Sequence, residues 1–177
     1  MGTNKTILRT PLKLAIASVF AALTCVATLT LIITIPATTG YFNLGETVIY
    51  VAALLFGPLV GGIAGGAGAA IADIIAAPQF AIGTLITKSF EGAIVGFLNK
   101  KLQQRNRNFT LSATIAVIIG GLEMVAGYFI YEQLALGYSF AVALVEVPFN
   151  IVQILVGLLV ALPIMHAVLR VFPQLKS

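Results

Sequence analysis

Residues 46–75, ETVIYVAALLFGPLVGGIAGGAGAAIADII, decide how the chain folds. The stretch carries two charges, Glu46 and Asp73, one near each end. Its apolar residues run on without polar alternation, which argues against a barrel strand and for helix. The Gly57-Pro58 pair breaks the run, because a proline offers no backbone donor and starts a helix more readily than it continues one. The reading is a short helix over 46–56 followed by a second over 59–75.

The same texture extends in both directions. The chain has 177 residues, 59% hydrophobic and 9% charged, against about 25% charged in a soluble domain. Mean hydropathy is +1.05. A soluble fold of this size has no interior large enough to hide that surface, so the surrounding medium is lipid. A spanning helix takes roughly 20 apolar residues. The apolar blocks give six spans, at about 13–35, 46–56, 59–75, 84–98, 109–132 and 140–171, in a single domain over 1–177. The class expected is all-α and integral to the membrane, since backbone groups in lipid must be satisfied internally. Pro148 and Pro163 lie inside the last span and predict a kink or a shallow start there. The first apolar run is too long for a signal-peptide core and is read as a retained helix.

Ten basic residues give a net charge of +4, and their placement reads as topology rather than nucleic-acid binding. Lys5, Arg9 and Lys13 precede the first span. Lys100, Lys101, Arg105 and Arg107 fall in a basic segment, 99–108, and Arg170 and Lys176 follow the last span. With six spans all three groups share one side, which predicts cytoplasmic termini. The loop 36–45, PATTGYFNLG, then lies outside, and Gly40 and Gly45 offer it backbone freedom. The expected location is a cell membrane, with the basic side facing the cytoplasm.

All six acidic residues lie in or at the ends of apolar blocks. Such charges are expensive in lipid and face a cavity or a partner. Glu46, Asp73, Glu132 and Glu146 fall near the outer ends of their spans, with Glu91 and Glu123 deeper. Lys88 and Glu91 are three apart and share a helix face. They either neutralise each other or present a donor and an acceptor to a ligand. Glu146, Asn150 and Gln153 also share a face, for interhelical hydrogen bonds or, with three groups together, for a ligand. Glu123 and Tyr128 are candidates to point inward, and Tyr131 and Glu132 to sit at the interface. Tyr41, Phe42 and Asn43 in the outer loop suit a lid, since a small-molecule site needs aromatic faces and a few fixed polar groups; an interfacial aromatic anchor is the alternative.

Other features exclude functions. Cys25 is the one cysteine, so no intrachain disulfide or thiol metal cluster forms. His166 stands alone near a helix end, and no metal or cofactor is expected. There is no Walker A, HExxH, GxSxG or CxxC motif, so the chain is read as neither an ATPase nor another enzyme. In GGIAGGAGAA, Gly61, Gly65 and Ala69 recur every fourth residue, which fits close helix packing rather than a phosphate loop.

The segments GYFNLGETVIYVAALLFGPLVGGIAGGAGAAIADII, TLITKSFEGAIVGFL, EMVAGYFIYE and EVPFNIVQILVGLLVALP, in that order, resemble the substrate-binding S components of energy-coupling factor (ECF) vitamin transporters. The resemblance runs from the first span to the last. It implies a six-helix bundle that binds a vitamin or precursor on its outer face and topples to deliver it. It also implies a transmembrane coupling protein and two ATP-binding subunits as partners. By resemblance, the coupling face falls on small residues of the first helix, Ala17 and Ala21 or Ser18 and Ala22. The ligand contacts fall on Tyr41, Phe42, Asn43, Lys88, Glu91, Glu123, Tyr128, Glu146 and Asn150. Among branches, the chain looks most like those for hydroxymethylpyrimidine or pyridoxine, with riboflavin as the alternative. A self-sufficient proton-coupled carrier and a structural subunit are the competing classes; no inverted repeat of the kind many carriers show is visible.

Overall fold

The computed structural model describes residues 10–105 and 108–175. Of the basic residues used above, Lys5, Arg9, Arg107 and Lys176 lie outside that range. Six helices follow in order: α1 (Thr10–Thr30), α2 (Gly45–Phe56), α3 (Pro58–Ala76), α4 (Ala81–Arg105), α5 (Phe109–Leu134) and α6 (Phe140–Val171). All but α2 are long and apolar enough to cross a membrane. At 12 residues and 1.5 Å per residue, α2 is about 18 Å long, short of a ~30 Å hydrocarbon core.

Two boundaries differ from the sequence reading. The first helix stops at Thr30, and Ile33–Thr34 (β1) pairs antiparallel with Tyr41–Phe42 (β2). The run TLTLIITI is dense in β-branched residues, which favour strand over helix. The hairpin closes through Ile35 N donating to Gly40 O at 2.7 Å, with Thr39 at a left-handed φ of 62°. At the other end α4 continues through Lys100 and Lys101 to Arg105, so most of the expected basic loop is helix. Its residues are good helix formers, and a helix need not end where lipid ends. Helix α6 runs on through Pro148 and Pro163.

Gly57, with φ of 87°, makes the elbow between α2 and α3, and Pro58 opens α3. Asn108 caps α5 by accepting from Leu111 N at 3.0 Å. Contacts arrange the helices in a ring, α1–α3–α4–α5–α6–α2, with α2 also reaching across to α4. Glycine makes the central contacts close. A Cβ on Gly61 would run into Ala53 and the Gly92 carbonyl oxygen, and one on Gly65 into the Lys88 carbonyl. On the side facing α1, Gly68 meets Ala21 and Thr24. The inner faces form a core around Ile49, Tyr50, Val95, Met124 and Ile154. The outside is apolar as well: Ile82, Leu159 and Val171 are among many large side chains left exposed, the pattern of a surface solvated by lipid.

Candidate ligand site

Polar side chains from every helix meet at one end of the bundle. The cavity there is lined by the hairpin loop (Gly40, Tyr41, Asn43) and by Thr28 of α1, Glu46 of α2 and Asp73 of α3. Thr84 and Lys88 of α4, Tyr128 of α5, and Glu146, Asn150 and Gln153 of α6 complete it. Its free volume is about 40 Å³, room for about three waters at 10–15 Å³ each.

Lys88 is the cation at its floor. The ammonium contacts Glu46 Oε1, lies 3.1 Å from Glu91 Oε2, and stands 5.5 Å above the centre of the Tyr128 ring. Glu91 is fully buried behind it and accepts from Tyr50 Oη at 2.8 Å. Gln153 Nε2 donates to Glu46 Oε1 at 2.9 Å, and its Oε1 accepts from the backbone N of Asn43 at 3.2 Å. The loop is therefore tied to the buried ion pair through one amide.

A second network holds the loop from the other side. Tyr41 Oη and Thr84 Oγ1 donate to the two oxygens of Asp73, and Thr84 also meets Tyr128 Oη at 2.8 Å. Burial and the Asp73 carboxylate hold the Tyr41 phenol well above its ordinary pKa, so it is a donor at any working pH. Thr38 Oγ1 donates to Glu146, and Tyr138 Oη donates to the Thr38 carbonyl at 2.8 Å. Neither loop glycine has a positive φ. Their need is room: a Cβ on Gly40 would strike the Glu146 carboxylate, and one on Gly45 would strike the Thr28 hydroxyl.

Of the residues expected at the site, Tyr41, Asn43, Lys88, Tyr128, Glu146 and Asn150 line the cavity. Glu91 stands one layer behind Lys88. Phe42 instead lines a lateral apolar groove with Ile33, Pro148, Phe149 and Val152. Glu123 lies outside the cavity and half-buried. Thr28, Glu46, Asp73 and Thr84 line the cavity outside the expected ligand contacts, and Gln153 joins them from the face it shares with Glu146 and Asn150. Three of these were visible as polar residues in apolar spans; the two threonines carried no signal. On α1, Ala17 and Ala21 are buried, with Ala21 against Gly68 of α3, whereas Ser18 and Ala22 are exposed. His166 sits near the opposite end of the bundle, 3.1 Å from Thr110 Oγ1.

A helical membrane bundle with a polar cavity under a loop has the architecture of a small-molecule binding protein of the bilayer. The family model for the ECF-type riboflavin transporter S component matches residues 9–170, and the chain belongs to that family. A Pyrococcus woesei protein, described as an uncharacterized protein in gap 3'region, is 41% identical over 135 residues, 76% of this chain and 86% of that one. The fold is similar to that in "Structure and mechanism of the S component of a bacterial ECF transporter", with a TM-score of 0.69 over 93% of this chain and 99% of that one, at 17% identity. The protein is a membrane-embedded S component of a vitamin transporter, a transport subunit and not an enzyme.

Proposed function

We propose that this S component captures a small water-soluble vitamin or precursor in the cavity between Tyr41, Lys88 and Asn150. It then delivers the ligand across a prokaryotic cell membrane with ATP hydrolysed by partner subunits. The observation that carries the reading is the cavity itself: buried charged and amide groups from four helices converge under a loop, in a chain otherwise solvated by lipid. Pockets for such ligands are about 300–1,000 Å³, far above 40 Å³, so entry requires the hairpin loop to lift.

The cavity faces outward in this proposal. Lys13, Arg105 and Arg170 sit at the far ends of helices that bring Thr28, Lys88 and Glu146 to the cavity, about 22, 25 and 36 Å away at 1.5 Å per residue. Basic ends belong in the cytoplasm. A coupling protein would dock on α1, the least enclosed of the long helices, over the exposed Ser18–Ala22 face. ATP-binding subunits act through that coupling protein.

Riboflavin is the first ligand to test, because the family model carries that name. Hydroxymethylpyrimidine or pyridoxine is the second, favoured by the small cavity. Mass spectrometry of small molecules retained through gentle purification identifies the ligand. Uptake into proteoliposomes, with the coupling module intact or with its ATPases disabled, tests the coupling. Uptake driven by a proton gradient without the module would overturn the proposal in favour of a self-sufficient carrier.

A further inference from the structure

Two polar atoms of the cavity wall have no partner. Glu46 Oε1 is occupied by Lys88 and Gln153, but Glu46 Oε2 is buried and accepts from nothing; Thr28 Oγ1 is equally buried and equally alone. Both residues line the cavity, and they are 1% and 2% exposed. They belong to one patch of wall, because the Thr28 hydroxyl lies against Gly45, the residue preceding Glu46. Two other hydroxyls of α1 turn back to their own helix: Ser18 donates to the Leu14 carbonyl at 3.0 Å and Thr30 to that of Val26 at 2.7 Å. Thr28 does not. Thr24, one turn away, is also unpartnered, but it packs against Gly68 and is not part of the cavity wall.

We propose that Glu46 Oε2 and Thr28 Oγ1 anchor the inner end of the ligand, and that this end carries an N–H or O–H donor and no negative charge. The inference rests on the vitamin-binding reading above and narrows its substrate class. A carboxylate oxygen only accepts, so its complement is a donor; a threonine hydroxyl both donates and accepts, so it serves a hydroxyl, amine or ring N–H equally. A buried acceptor without a donor is costly to maintain, and a ligand donor removes that cost.

The charges point the same way. Glu46, Asp73 and Glu146 line the cavity against one cation, Lys88, which is already held between Glu46 and Glu91. Asp73 has both oxygens engaged by hydroxyls. A phosphate or carboxylate on the ligand meets three carboxyl groups and no free cation. The site therefore takes neutral or protonated donor-bearing heterocycles and rejects their phosphate esters.

The test is titration of the purified full chain with two matched pairs: riboflavin and riboflavin 5′-phosphate, pyridoxine and pyridoxine 5′-phosphate. At least one parent compound binds, and its ester is weaker by about 100-fold, as expected when like charges are forced together. Thr28→Val, which keeps the shape and loses the hydroxyl, binds the parent about 3- to 10-fold more weakly. Thr28→Ser recovers most of that loss. Equal binding of parent and ester overturns the proposal, and so does full affinity in Thr28→Val; either leaves the vitamin-binding reading standing. Binding of none of the four compounds excludes riboflavin and pyridoxine as the ligand and overturns the anchor, while the wider vitamin-binding reading is decided by mass spectrometry of the retained ligand. If Thr28→Val does not fold, discrimination between parent and ester by the unmodified chain decides.

Discussion

Replacing Lys88 by methionine removes the cation from between two carboxyl groups while nearly preserving its volume. Lys88 is 3% exposed, with Glu46 and Glu91 at 1% and 0%. At the 3.1 Å separation from Glu91 Oε2, one unit-charge pair in an effective dielectric near 20 is worth about 5 kcal/mol before desolvation. Desolvation offsets much of that in the intact pair but not in the broken one, so removing one partner of a buried pair costs about 3–5 kcal/mol. For a chain of this size each kcal/mol moves the unfolding midpoint by about 2–4 °C. Lys88→Met should therefore lower the midpoint by about 6–20 °C. The assay is the fraction of protein still monodisperse on size exclusion after heating in detergent. Lys88→Met combined with Glu91→Gln removes one stranded carboxylate and should recover part of the loss. A fall of less than about 2 °C for the single variant would refute the view that the buried charges depend on Lys88.

Gly61→Val forces a branched side chain into Ala53 and the Gly92 carbonyl oxygen; overpacking of this kind costs about 1–3 kcal/mol, read as a lower midpoint in the same assay. Tyr41→Phe takes a donor from Asp73 and should weaken vitamin binding about 3- to 10-fold, measured by titration. Asn150→Ala removes an amide from the cavity wall and should act the same way while the apo midpoint stays within about 2 °C. Ser18→Trp and Ala22→Trp, on the exposed face of α1, should leave titration unchanged and reduce ATP-driven uptake, whereas Ala17→Trp, buried at 0% exposure, should fail to yield folded protein.

How far the sequence reaches into this site depends on what holds each residue. The membrane class, the helix order and the glycine seam of α3 are properties of continuous segments, and hydropathy with four-residue spacing reveals them. Lys88, Glu146 and Asn150 are conspicuous because polarity in an apolar span is costly wherever it occurs. Thr28 and Thr84 are not conspicuous, since a hydroxyl on an apolar helix usually bonds its own backbone. Pairing across helices is invisible to spacing: Lys88 reads as the partner of Glu91, yet its other carboxyl, Glu46, is 42 residues away and reaches it only because α2 crosses to α4. Adjacent residues in a strand face opposite ways, so Tyr41 enters the cavity while Phe42 turns to the lateral groove. Glu123 and Tyr128, five apart on α5, are about 140° apart around the helix at 3.6 residues per turn, and only Tyr128 lines the cavity.

The separation of charge between the two ends of the bundle has an electrical consequence. Lys13, Lys100, Lys101, Arg105 and Arg170 stand at one end and Glu46, Asp73 and Glu146 at the other, so the molecule carries a large dipole along its helices. In the proposed orientation an inside-negative membrane holds that dipole in place. A delivery step that tips the bundle performs electrical work, about 2.3 kcal/mol for each net charge carried across a full 100 mV. Transport by this protein should then slow as the membrane is hyperpolarised, a voltage dependence set in part by basic side chains at the end of the bundle remote from the cavity.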